Sequence, residues 1–155
     1  MSKAFTRDDD EAGFVLTTRP LVVKGPITAI GARLAAERVK QVNDLLAAEA
    51  DPTARALLEM DRARVEAFAA APVAVRPSDE GVVSFGAEVR FRDARGRERV
   101  AVLASADEIG LVPGAATASS PVARALLGAR PGDVVELDGP RGPESLWLLG
   151  VRFPE

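Results

Sequence analysis

The spacing of apolar positions changes once along the chain, near residue 80. Over residues 28–50, Ala35, Val39, Val42 and Leu46 recur at steps of four, three and four, which places them in one stripe of a helix. Thr28 stands before that stripe as an N-cap, with Ile27 positioned as a hydrophobic staple. Asp51-Pro52 combines an N-cap with proline at the first helical position, so a second helix starts there. Its stripe runs through Ala54, Leu58, Val65 and Phe68, and Asp61 falls where another apolar residue is expected. Two helices with almost no loop between them turn back as an antiparallel hairpin. Residues 1–25 carry no sustained period. They hold the acidic run Asp8-Asp9-Asp10-Glu11 and the apolar patch Phe14-Val15-Leu16, and are expected to form a flexible leader.

From residue 82 onward the period is two. Arg90 and Arg92 interleave with Val89 and Phe91, and Val100 and Val102 follow the turn Asp93-Ala94-Arg95-Gly96, a hairpin with one wet face. Val134, Val135 and Leu137 make a third strand. The turn Gly139-Pro140-Arg141-Gly142 leads to a last strand around residues 146–151. One helix interrupts the strands, with Ser120 as N-cap, Pro121 at its first position and Gly128 ending it. The expected fold class is α+β: an antiparallel helical hairpin over residues 26–75, then a twisted, mostly antiparallel sheet with one helix over residues 79–155.

Composition narrows the chemistry. The 155 residues contain no Cys and no His, which removes disulfides, thiolate nucleophiles, and the commonest general base and zinc ligands. No catalytic residue and no metal site is expected. A net charge of -3 argues against non-specific nucleic-acid binding. No apolar run is long enough to span a bilayer, so a cytoplasmic monomer without membrane contact is expected. Five arginines, Arg90, Arg92, Arg95, Arg97 and Arg99, are interrupted by Asp93 and Glu98; they read as a salt-bridged solvent face or as a contact for a partner or RNA.

Three segments then acquire a meaning together. Val83-Ser84-Phe85-Gly86-Ala87-Glu88-Val89, Ala106-Asp107-Glu108, and the helix from Ser120-Pro121 to Gly128 followed by Gly132-Asp133-Val134 resemble, in that order, the C-terminal domain of the Gre-factor family of bacterial transcript-cleavage elongation factors. Upstream, Ile27-Thr28-Ala29-Ile30-Gly31 and Met60-Asp61-Arg62 are similar to that family's two hairpin helices. The resemblance implies an N-terminal antiparallel coiled coil and a C-terminal FKBP-like domain. It also implies RNA polymerase as partner, docking at the entrance of the secondary channel, and indirect contact with RNA or DNA in the elongation complex. A prolyl isomerase is not implied: Phe85, Phe91, Trp147 and Phe153 are the only aromatic residues of that domain and suggest no aromatic-lined pocket.

In that family, acidic residues at the coiled-coil tip help hold a Mg²⁺ ion of the polymerase and its water. Here the span from Gly31 to Asp61 is shorter and the tip motif is missing. Glu49 and Asp51 are the only candidates at the turn; Asp51 already serves as a helix cap, and Glu49 reads as a solvated last-turn residue. The chain is therefore expected to bind no cofactor itself, and to meet the polymerase's Mg²⁺ only if this tip is functional. Ser119, Ser120 and Pro121 are expected in the polymerase-binding surface as well as at the helix start. Asp107 and Glu108 are turn residues or part of the same surface. The expected function is transcription regulation by occupying the channel, without efficient cleavage and with no enzyme activity of its own. A functional cleavage factor and a module for a non-polymerase partner are the alternatives.

Overall fold

The computed structural model describes residues 23–155. All but the last three residues of the expected leader, including its acidic run, lie outside them. Helix α1 (Ala29–Ala48) starts at Thr28, whose hydroxyl accepts the Gly31 N–H at 3.0 Å. Helix α2 (Pro52–Ala69) starts at Asp51, whose carboxylate accepts the Ala54 N–H at 2.9 Å. These caps satisfy donors that the first helical turn leaves free.

The facing stripes bury Ala35, Val42 and Leu46 of α1 and Val65 and Phe68 of α2; Val39, Ala54 and Leu58 are half-buried. Asp61 interrupts the second stripe because Arg38 reaches it across the hairpin, through Nε at 2.9 Å and Nη2 at 2.7 Å. The two ends of the hairpin are clamped by a short parallel bridge: Ile27 N–H donates to Pro72 C=O, and Ala74 N–H to Ile27 C=O.

The remaining elements are β1 (Glu88–Arg92), β2 (Glu98–Leu103), a 3₁₀ turn (Ala106–Glu108), β3 (Ala115–Ala116), α3 (Pro121–Leu126), β4 (Val134–Gly139) and β5 (Gly142–Arg152). They form one sheet in the order β3-β2-β1-β5-β4, antiparallel except for β2 with β3. That parallel edge is the one exception in the mostly antiparallel sheet that the sequence predicts. β3 is only two residues long, too short for alternation to reveal it. The turns at residues 93–96 and 139–142 fall where the sequence places them.

The inner sheet face (Val89, Phe91, Ala101, Leu146, Leu148) packs against Ala123 and Leu126 of α3, with Val83 and Phe153 closing the ends. The hairpin is seated on the opposite face. Ile30 and Leu34 of α1 pack with Val102, Ala104 and Val112, while Ile27, Ala35 and Phe68 form a neighbouring cluster that shares Leu111. No helix among the described residues is long and apolar enough to cross a membrane.

Candidate functional site

The loop before α3 presents Ser119 and Pro121 to solvent. Its shape is set by Ser120, whose N–H and hydroxyl both donate to Thr117 C=O, at 2.9 and 2.7 Å, while its Oγ accepts the Ala123 N–H at 3.2 Å. Ser120 is thus committed to the turn. The Ser119 hydroxyl lies 3.1 Å from Thr117 Oγ1, and the Pro121 ring is exposed at the start of the helix. The turn thus presents a hydroxyl and a proline ring to solvent.

Asp107 and Glu108 separate. Asp107 is half-buried, and its carboxylate accepts the backbone N–H of Lys24 at 3.1 Å. Glu108 is 0% exposed. Its Oε1 accepts the N–H and hydroxyl of Thr28 at 2.9 and 2.6 Å, and its Oε2 accepts the N–H and hydroxyl of Ser105 at 2.8 and 3.0 Å. This corrects the expectation that Glu108 belongs to a docking surface, because an enclosed carboxylate cannot meet a partner. It instead joins the N-cap of the hairpin to the 3₁₀ turn of the sheet domain. Four donors around one carboxylate supply the partners that burial of a charge requires. Gly31 completes the arrangement, since a Cβ there would lie 2.0 Å from Glu108 Oε1. Sequence reading missed this junction. The Ser105-x-x-Glu108 spacing is a capping-box signature and was the one local signal available.

At the hairpin tip, the carboxylates serve the backbone. Glu49 Oε1 accepts the Asp51 N–H at 3.0 Å, and Asp51 Oδ2 accepts the Ala54 N–H. Arg55 donates through Nη1 to the carbonyls of Leu46 and Glu49, at 2.7 and 3.1 Å, capping the end of α1. No group of three or more Asp, Glu, His or Cys side chains converges as a metal site among the described residues.

The arginine-rich hairpin is partly neutralised. Arg92 pairs with Glu98 and Arg97 with Asp93, both at 3.3 Å, and Arg152 pairs with Glu88 at 2.6 Å. Asp93 is a buried turn residue whose carboxylate is held below the ordinary range. The Arg97 N–H is the main cause; the Arg95 N–H and the Arg97 guanidinium add to it, and burial opposes it.

Residues 78–152, which contain this sheet, α3 and the Ser119-Ser120-Pro121 loop, match the family model of the C-terminal domain of the transcription elongation factors GreA and GreB. These residues are therefore a GreA/GreB C-terminal domain, just under half of the 155-residue chain. Similar relatives include transcription elongation factor GreB of Yersinia pestis, 36% identical over 77 residues that cover 50% of this chain and 45% of the relative. GreA of Nitratidesulfovibrio vulgaris is 39% identical over 72 residues, 46% and 44% of the two chains. GreB of Neisseria meningitidis is 33% identical over 105 residues, 64% of each chain. The Gre-like chain thus spans less than half the length of the first two relatives. A solved GreA/GreB structure from Nitrosomonas europaea overlaps 84% of this chain and 99% of its own at 24% identity and a TM-score of 0.42.

Proposed function

We propose that this Gre-like chain binds RNA polymerase at the entrance of the secondary channel and regulates elongation by occupying it, without efficient stimulation of transcript cleavage. The observation that carries the reading is the match of residues 78–152 to the GreA/GreB C-terminal domain. The exposed Ser119 and Pro121 supply its docking contacts, with the half-buried Asp107 beside the hairpin base. The hairpin enters the channel, but its tip brings Glu49 and Asp51 already engaged with backbone donors. At 20 residues, α1 is about 30 Å long. Cleavage chemistry in such a complex belongs to the polymerase and its ions; a tip that releases no free pair of carboxylates adds little to it.

The test is a backtracked elongation complex, scored separately for binding and for RNA cleavage. Binding with near-basal cleavage is expected, and Ser119→Ala or Pro121→Ala should weaken binding while the fold is retained. Strong Mg²⁺-dependent cleavage that disappears in Glu49→Ala or Asp51→Ala would make the chain a functional cleavage factor instead. Failure to bind polymerase at all would leave the interaction module for another partner as the surviving reading.

A further inference from the structure

Helix α3 turns Ala123 and Leu126 into the sheet domain, where both are fully buried. Its opposite side runs from Pro121 through Arg124 to Leu127, and all three residues are exposed. Steps of three residues set them about 4.5 Å apart along the helix axis. The strip therefore presents a proline ring, a guanidinium and a leucine in order, and it begins beside the exposed Ser119.

The fold itself makes no use of the two residues beyond Pro121. Arg124 stands in the last turn of α3, yet among the described residues it has no carboxylate within 4.0 Å and donates no hydrogen bond. Other arginines of the molecule are engaged. Arg55 caps the end of α1 through the Leu46 and Glu49 carbonyls, and Arg130, six residues after Arg124, pairs with Asp79 at 2.7 Å. Leu127 is 41% exposed, although its backbone is well held. Its N–H donates to Ala123 C=O at 2.9 Å, and the N–H of Gly128, which follows at a φ of 83°, donates to Val83 C=O at 2.9 Å. The leucine is thus kept at the surface by the helix end.

We propose that the docking surface extends along α3, with Arg124 paired to a carboxylate of RNA polymerase and Leu127 covered by an apolar side chain next to that carboxylate. This extension rests on the proposed docking through Ser119 and Pro121. Charge selects the partner group: the strip's one ionisable side chain is a guanidinium, which has donors and no acceptor. A phosphate would also meet that charge, but it would leave the Pro121 ring and Leu127 without apolar cover, so a protein surface fits the whole strip.

Binding of the labelled full chain to RNA polymerase is measured by fluorescence anisotropy, with urea unfolding to confirm that each variant keeps the fold. Arg124→Ala should raise Kd about tenfold at low salt, on the scale of a lost charged contact at an interface. That ratio should shrink at high salt, and Arg124→Lys should recover part of the loss by restoring the charge without the planar fork. Leu127→Ala should raise Kd about fivefold at every salt concentration. If Pro121→Ala weakens binding while Arg124→Glu and Leu127→Ala do not, docking stands but the extension along α3 is overturned. If the full chain does not bind polymerase at all, the docking itself is overturned. A dimer of the free chain that Arg124→Glu dissociates would give the strip to a second copy, and overturns the extension as well.

Discussion

A methyl group at position 31 has nowhere to go. It would overlap the carboxylate that joins Thr28 to Ser105, so Gly31→Ala must displace Glu108 or break the N-cap. Equilibrium urea unfolding should show a loss on the order of 3 kcal/mol, combining overpacking with an unsatisfied buried group. Glu108→Gln preserves shape but turns one acceptor into a donor facing the donors of Thr28 or Ser105; a loss of about 1–3 kcal/mol is expected. If both variants unfold like the parent, the junction carries no stability. Asp93 makes a different prediction, with pH as the variable. Its carboxyl is lowered in the folded chain, chiefly by the Arg97 N–H, so its contribution is complete above the unfolded carboxylate value and is lost as pH falls through the lower folded one. Asp93→Asn should therefore flatten the fall in stability below about pH 4 relative to the parent. A parallel fall in both proteins would show that Asp93 does not contribute to it.

Helix α1 separates burial from periodicity. Val39 and Val42 belong to the same sequence stripe, yet Val42 is fully buried while Val39 is only half-buried. Val42→Ala should cost about 1–3 kcal/mol by leaving a cavity, and Val39→Ala less than about 1 kcal/mol. Thermal melts that rank them the other way would place the helix–helix seam elsewhere. The elements that could be read from sequence are those with chemical punctuation. Thr28, Asp51-Pro52 and Ser120-Pro121 each cap a helix as their residue types require, and Gly96 and Gly142, both at positive φ, sit in the hairpin turns. The 3₁₀ turn and the two-residue β3 were not legible. Neither is long enough to show a period, and β3 is held by pairing with β2 rather than by its own alanines.

At the scale of the whole molecule, the C-terminal domain was legible because its segments keep their order and spacing, while the junction with the hairpin was not. Thr28 and Glu108 are 80 positions apart, and no local pattern reveals that an acidic residue beside an exposed-looking Asp107 is enclosed. That enclosure has a functional consequence. Glu108 joins the N-cap of the hairpin to the domain that carries Ser119 and Pro121, the residues proposed to dock. In the proposed function the hairpin and this domain together take the place of a Gre factor on RNA polymerase. The most direct measurement is a titration of a Gre factor against a backtracked complex saturated with the labelled chain, following bound label and RNA cleavage together. Mutual displacement is expected, with cleavage restored as the Gre factor replaces the chain and a midpoint that moves with the ratio of the two concentrations. If both proteins remain bound at saturation with neither displacing the other, the two do not share a site, and the claim is contradicted.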